Sequence, residues 1–127
     1  MTQNALHNIP SDVTGNPPEE NCRIETLLSA ISGRWKLLII YWLAQGSCRF
    51  NQLQRNLGRI THRTLTRQLT ELQETGFVAR KDFRTIPPHV EYSLTELGQS
   101  LIPLLYEMHQ WAQKNADKLP APKARER

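Results

Sequence analysis

The sequence predicts a mainly α-helical domain with one small β-hairpin near its carboxyl end. Three observations support this fold class. Four segments between about residues 22 and 76 place apolar side chains three and four positions apart, which is the spacing of one helical face. Two later segments, on either side of Pro87 and Pro88, alternate with a period near two, which is typical of a hairpin. A last long segment returns to helical spacing.

The bulk composition favours one globular domain in the cytoplasm. The chain has 127 residues, 39% of them hydrophobic and 22% charged, which suffices for one modest core. Its longest apolar run, "LLIIYWLA", is far shorter than the roughly 20 residues that a membrane span needs. The amino terminus lacks the basic and apolar regions of a secretory signal. We therefore expect a cytoplasmic protein without a membrane partner.

The two ends of the chain differ from its middle. Residues 1–20 hold few apolar anchors and several proline, asparagine and glutamate residues, so we predict a flexible arm. The polar stretch 117–127 predicts a flexible tail. The folded domain is therefore expected over residues 21–116.

Three helical segments open this domain. "RIETLLSAIS" carries one apolar face, and "RWKLLIIYWLA" is apolar nearly all round, which predicts a buried central helix. Gly46 should end the second helix. "RFNQLQRNLG" predicts a short third helix that stops at Gly58.

The fourth helical segment, "ITHRTLTRQLTELQETG", has two contrasting faces. Leu65, Leu69 and Leu72 form one apolar stripe. Thr61 suits the N-cap position, where its hydroxyl can accept a bond from an early backbone N–H. Gly76 should close the helix. The opposite face is polar and carries Arg63, Arg67 and Thr70, with His62 and Thr66 on one flank.

A hairpin and a last helix complete the domain. "FVARKDFR" and "VEYSL" alternate as strands, and the prolines between them form a turn because they cannot continue a ladder. The segment "TELGQSLIPLLYEMHQWAQKN" predicts one long helix that is capped by Thr95 and bent at Pro103.

The order of these elements predicts a winged helix-turn-helix with extra amino- and carboxyl-terminal dimerisation helices. The fourth helix takes the recognition position, and the hairpin is the wing. Charge supports a polyanion partner, because residues 49–90 hold eight basic and three acidic residues, a net +5, whereas the whole chain carries +4. The alternative is that these cations only solvate the surface.

The recognition helix supplies the first candidate contacts to double-stranded DNA. An arginine there can donate two hydrogen bonds to a guanine edge, and small polar side chains reach base edges or phosphates. The candidates are Thr61, His62, Arg63, Thr64 and Arg67.

Basic residues and one asparagine around the wing and the early helices are candidates for contacts to the DNA backbone. Such residues fix the register of a protein on the duplex without reading its sequence. The wing and backbone candidates are Lys36, Arg49, Asn51, Lys81, Arg84 and His89.

The terminal helices have more apolar surface than a small winged core needs. A lone winged helix also makes too few contacts for specific binding, so we expect a homodimer. Packing of the last helix on its own domain is the alternative. The candidate interface residues are Leu27, Leu101, Leu105, Met108 and Trp111.

The two cysteines lead to different expectations. Cys22 begins the first helix beside Arg23, a position that favours a reactive thiolate and makes Cys22 a candidate redox sensor. A purely structural or incidental cysteine is the commoner case. Cys48 is expected to be a half-buried loop residue.

The sequence gives no sign of an enzyme, a metal site or a cofactor. We find no nucleophile paired with a histidine, no glycine-rich phosphate loop and no H-E-x-x-H. The remaining alternative is a winged helix that binds RNA or protein and has no operator, since a fold does not fix its function.

Four stretches in order resemble one known family. The elements "GRWK", "RFNQL" and "PPHVEYSLTELG" match its G-[KR]-W-K, R-F-N-x-L and P-P-x-V-E-Y-x-L-T-x-x-G patterns, and "ITHRTLTRQLTELQETGFVAR" lies between them. From Cys22 to Ala112 the chain is similar to the HxlR-type winged helix-turn-helix transcription regulators.

This resemblance implies a homodimer that binds an inverted-repeat operator as a repressor or an activator. In some members a cysteine at the position of Cys22 senses quinones, aldehydes, hypochlorite or other electrophiles, so it implies a small electrophile or oxidant as inducer. The family often has proline after this cysteine, and here Arg23 replaces it. That exchange changes the local backbone and adds a charge.

Overall fold

The computed structural model describes residues 23–121 of the chain. These residues fall into two units that divide after Gly33. The first unit contains helix α1, Arg23–Ile31, in which Ile24 and Leu28 are exposed and Ile31 is buried. The predicted arm over residues 1–20, Cys22 and the end of the predicted tail lie outside the described residues.

The second unit contains the remaining elements. The order of its helices and strands confirms the mainly helical fold with a small β-sheet, a winged helix-turn-helix. The elements are α2 (Arg34–Ala44), β1 (Cys48–Arg49), α3 (Phe50–Leu57), α4 (His62–Glu74), β2 (Val78–Asp82), β3 (Val90–Leu94), α5 (Glu96–Ser100), α6 (Ile102–Lys114) and a 3₁₀ turn (Ala116–Lys118).

Helix α2 forms the centre of the second unit, as its nearly continuous apolar sequence predicts. It packs against α3, α4 and β3, and its Ile39 and Ile40 have no exposed surface. Leu53 of α3 and the three leucines of α4 are buried with them. One face of α4 is therefore packed in the core, and the opposite face is exposed to solvent.

The sheet has three antiparallel strands in the order β1-β3-β2. Strands β2 and β3 form the predicted hairpin, in which Val78 pairs with Leu94 and Asp82 with Val90. Strand β1 was not predicted, because two residues are too few to show a period. Cys48, expected in a loop, lies buried in β1 opposite Tyr92.

The predicted caps of two helices are confirmed. The Thr61 hydroxyl accepts a bond of 3.1 Å from the backbone N–H of Thr64 at the start of α4. The Thr95 hydroxyl accepts one of the same length from the N–H of Gly98 at the start of α5. Gly98 leaves no room for a side chain, since a Cβ there would collide with the carbonyl oxygen of Phe77.

The last helix differs from the single bent helix that the sequence predicts. The structure has two helices, α5 and α6, separated at Leu101, and Pro103 lies in the first turn of α6. A proline has no N–H to donate to the carbonyl four residues earlier, so it is tolerated best in a first turn. The chain therefore restarts a helix before Pro103 instead of bending one there.

Within the described residues, no single helix is long and apolar enough to cross a membrane, although α1 and α2 taken together pass that test by length and composition.

Candidate nucleic-acid interface

The polar face of α4 is exposed along its length. His62, Arg63, Thr66, Arg67 and Thr70 all face solvent, whereas the three leucines of the opposite face are buried. Arg63 and Arg67 are four residues apart and so lie on one side of the helix. Among residues 23–121, neither guanidinium lies within ion-pair distance of a carboxylate. Both arginines are therefore available to an external partner.

The amino-terminal end of α4 is held in place by two contacts. The amide of Gln54 on α3 donates a hydrogen bond of 3.1 Å to the carbonyl oxygen of Ile60, just before the cap residue. The rings of His62 and Phe50 lie 4.5 Å apart, centre to centre. The role of Gln54 has no signal in the sequence, because a hydrogen bond across the turn produces no periodic pattern. These contacts fix the direction in which α4 leaves the turn.

Lys36 does not join the other predicted backbone contacts at the surface. Its side chain is buried, and Nζ donates a hydrogen bond of 2.6 Å to Oε1 of Glu71. This bond is the main reason that the pKa of Glu71 is lowered, and Arg67 contributes a smaller charge effect. Lys36 therefore ties α2 to α4, and we leave it out of the proposed DNA surface.

The wing brings two of the predicted contact residues, Lys81 and His89, onto one aromatic ring. Nζ of Lys81 lies 4.8 Å from the centre of the Phe83 ring, and that ring stacks on His89 with centres 4.4 Å apart. Arg84 has a positive φ of 58°, and its backbone N–H donates a 2.8 Å bond to Oδ1 of Asp82. A residue other than glycine with a positive φ is uncommon and often marks a functional position.

The remaining two candidates lie at the start of α3. Arg49 precedes the helix, and its guanidinium donates a bond of 3.4 Å to the carbonyl oxygen of Pro88 in the wing loop. Asn51 lies exposed in the first turn. The structure thus places Arg49 beside the wing loop, and Asn51 lies two residues after Arg49 in the chain.

Helix α6 exposes the face that the sequence assigned to a partner. None of its 13 residues is buried. Met108 and Trp111 keep 47% and 60% of their surface exposed, and Leu105 is half-buried. Leu101 differs, because it is buried within the chain and so has little surface left for a partner. On α1, Leu27 is half-buried.

Cys48 has the surroundings of an unreactive thiol. Burial raises its pKa, and the negative charge of Glu91 raises it further. Because the thiolate is the nucleophile, a raised pKa lowers reactivity at neutral pH. Cys22, the predicted sensor, lies outside the described residues.

Comparison with known proteins identifies the family. A sequence model described as HxlR-like helix-turn-helix matches residues 30–120. The chain belongs to this family. It is 43% identical over 103 residues to YybR of Bacillus subtilis, named as an uncharacterized HTH-type transcriptional regulator, covering 81% of this chain and 82% of that protein. It is 48% identical over 89 residues to the similarly named BH0655 of Halalkalibacterium halodurans, covering 69% and 79%.

Solved structures agree with this HxlR-type assignment. The redox regulator HypR in its reduced form is 42% identical with a TM-score of 0.72, and the match covers 76% of this chain and 95% of HypR. The reduced form of the transcriptional regulator YodB from Bacillus subtilis is 31% identical with a TM-score of 0.71, covering 78% and 98%. The chain is therefore a transcription regulator of the HxlR type.

Proposed function

We propose that this HxlR-type regulator is a homodimer that reads an inverted-repeat DNA operator with helix α4. The observation that carries the proposal is the division of α4 into a buried leucine face and an exposed face bearing Arg63 and Arg67. A major groove admits one helix, and arginine is the side chain that most often specifies guanine there. A non-enzymatic role in the cytoplasm follows, and it agrees with relatives that are named as regulators.

The residues of α4 take separate roles in this proposal. Arg63 and Arg67 contact base edges, and His62 lies beside them in the first turn. The Thr61 hydroxyl caps the helix and donates a 3.0 Å bond to the hydroxyl of Thr64. These two threonines therefore shape the positive amino-terminal end of the helix, which favours a phosphate oxygen.

The wing and the start of α3 supply contacts to the DNA backbone. Arg49 and Asn51 flank the beginning of α3, and Lys81, Arg84 and His89 belong to the wing. Phosphate contacts of this kind set the register of the protein on the duplex. They also make binding depend steeply on salt, because each neutralised phosphate releases counterions.

A second copy of the chain is the partner that we propose for α6. Trp111, Met108 and Leu105 form an apolar face on that helix without a buried residue. A twofold dimer places two recognition helices on two half-sites, about one helical turn or a multiple of it apart. Leu27 on α1 is proposed to contact the second copy as well.

Selection of genomic fragments by the purified, reduced protein tests the operator. Excess non-specific competitor DNA should leave an inverted repeat enriched, and its affinity should fall steeply between about 50 and 200 mM salt. Failure to enrich any sequence, by folded and dimeric protein in both the reduced and the oxidised state, would reject the operator. Binding to single-stranded RNA instead would favour the alternative class.

We further infer that Cys22 makes this regulator responsive to electrophiles or oxidants. The support is the similarity of the chain to HypR and YodB, of which HypR is named a redox regulator, together with the raised pKa of Cys48, which makes Cys48 a poor candidate for the sensor. After treatment with an electrophile or an oxidant, the native protein and the Cys48→Ser variant should both change their affinity for the operator. The Cys22→Ser variant should not respond, and a response equal to that of the native protein would remove Cys22 as the sensor.

A further inference from the structure

A chain of contacts joins the tip of the wing to the segment before β1. His89 and Glu91 both belong to the outgoing arm of the wing, and Nε2 of His89 lies 2.8 Å from Oε2 of Glu91. The other carboxylate oxygen, Oε1, accepts a hydrogen bond of 3.0 Å from the hydroxyl of Ser47. Glu91 thus uses its two oxygens to bridge the wing and the segment that leads into α3.

The imidazole of His89 is held from its other side as well. Its ring stacks on Phe83 at 4.4 Å with an angle of 26° between the planes. Across the turn, the backbone N–H of Phe83 donates a 2.9 Å bond to the carbonyl oxygen of His89. The ring therefore lies between an aromatic face and a carboxylate.

The charges around this pair are mostly positive. Lys81 on β2 lies opposite Glu91 in the ladder and places its ammonium on the Phe83 ring. Arg49 on β1 also lies opposite Glu91 and contacts Pro88, next to His89. Arg84 lies in the same loop, and the carboxylate of Asp82 accepts its N–H. Glu91 is thus the acidic partner of His89 and lies opposite two cations, Lys81 and Arg49.

The state of Glu91 agrees with this arrangement. Its pKa is lowered, first by the hydrogen bond from His89 and then by that from Ser47. A carboxylate that stays ionised favours a positive imidazole beside it. Histidine is the side chain whose charge ordinarily changes between about pH 5 and 8.

We propose that Ser47, Glu91 and His89 form a positioning relay that holds the wing tip against the start of α3, and that protonation of His89 strengthens the wing's contact with DNA. The proposal rests on the proposed function, because it assigns the wing a DNA contact. His89 and Glu91 act as positioning residues. An added proton tightens their pair and adds one positive charge to a surface that faces phosphates.

The first test needs no DNA. The side-chain carboxyl carbon of Glu91 is followed by NMR against pH in the native protein and in His89→Phe. Phenylalanine keeps a ring to stack on Phe83 and removes the hydrogen bond to Glu91. The native Glu91 should titrate below the ordinary range for glutamate, and the variant should titrate at higher pH. Equal midpoints would show that the pair does not form in solution and would overturn the proposal.

The second test measures operator affinity at about pH 6 and pH 8 at fixed ionic strength. The native protein should bind about two- to fivefold more tightly at the lower pH, the size of one partly exposed charge interaction. His89→Phe should lose most of that gain, and Glu91→Gln should reduce it. His62→Phe is the comparison variant, because His62 is the other histidine of the proposed DNA surface and its ring also lies against a phenylalanine, Phe50. It should weaken binding at both pH values and keep the ratio between them.

The outcomes of the two tests separate this proposal from the proposed function. A pH gain that persists in His89→Phe, or that disappears only in His62→Phe, would overturn the relay while leaving operator binding intact. Absence of specific binding at either pH would reject the proposed function itself. In that case the NMR titration would still report whether the pair forms, and the claim about DNA would be withdrawn.

Discussion

Helices α4 and α6 have the same length and opposite environments. Each contains 13 residues, and each carries apolar and polar side chains at helical spacing. Leu65, Leu69 and Leu72 of α4 are buried almost completely, whereas α6 has no buried residue. An amphipathic pattern therefore shows that a helix has an apolar face, but it does not show whether the same chain covers that face.

The two helices therefore expose different faces to a partner. In α4 the apolar face is buried in the core of the second unit, and the exposed face is the one with Arg63 and Arg67, which we propose contacts DNA. In α6 the available face is the apolar one, with Trp111 and Met108 about half exposed. An exposed apolar face of this kind supports the proposed contact with a second copy of the chain. We therefore expect mutations in α4 to change folding or DNA recognition, and mutations in α6 to change assembly.

The largest expected effect on folding is that of Leu69→Ala. This side chain is 1% exposed, and removal of a buried leucine costs about 2–5 kcal/mol through lost burial and a cavity. Urea unfolding measures the change. Leu104→Ala makes the same change in α6, where the side chain is 44% exposed. When Leu104→Ala is measured in a protein that stays monomeric, its loss of unfolding free energy should stay below about 1 kcal/mol. Equal losses for the two variants would contradict the difference in burial between the helices.

Trp111→Glu should disrupt assembly without unfolding the chain. A charge on the proposed interface would have to be buried without a partner, and loss of such an anchor typically costs about 2 kcal/mol or more of association. Analytical ultracentrifugation should show a monomer whose circular dichroism is unchanged. Gln110→Glu, on an exposed residue on the opposite side of the same helix, serves as the control. A dimer of unchanged affinity would refute the role of α6.

Thr61→Ala should produce a smaller loss of stability, because it removes the bond to the N–H of Thr64. Loss of an N-cap costs about 1 kcal/mol. Thr70→Ala is the matched control, since the Thr70 hydroxyl bonds to the Thr66 carbonyl within the helix and caps nothing. In urea unfolding, Thr61→Ala should therefore lose more stability than Thr70→Ala. A reversed order would show that the cap does not stabilise the start of α4.

The smallest expected effect is the loss, at acidic pH, of the stability that Glu71 contributes. Its folded pKa is lowered from the ordinary value of 4.5, chiefly by the bond from Lys36. The pair therefore contributes its full stability above that ordinary value, and the contribution is lost as pH falls through the lowered folded pKa. The free-energy gap between the native protein and Glu71→Gln should narrow below about pH 4.5. Glu74→Gln, which alters an exposed residue, should show no such trend.

The sequence predicted the elements that repeat over several turns or strand residues. The leucine stripe of α4, the threonine caps and the hairpin around Pro87 and Pro88 all follow from local pattern and hydrogen-bonding chemistry. The structure confirms each of them. The exposure of the arginine face follows directly from burial of the stripe.

Features that depend on distant partners could not be predicted. Lys36 looked like a surface cation, but its partner Glu71 is 35 residues away and only the packing of α2 on α4 brings them together. The bridge from Glu91 to Ser47 spans 44 residues. Strand β1 is too short to show a period, and Pro103 alone does not tell whether a helix bends or restarts there.

Arg67→Ala and Arg63→Ala, tested on the selected operator and on its single-base variants, examine the central claim most directly. Each variant should lose about 1–3 kcal/mol of specific binding and relax the preference at one operator position. Binding to unrelated DNA should change far less. An equal loss of affinity on every sequence would show that these arginines only contact phosphates, and it would contradict the claim that the polar face of α4 reads DNA.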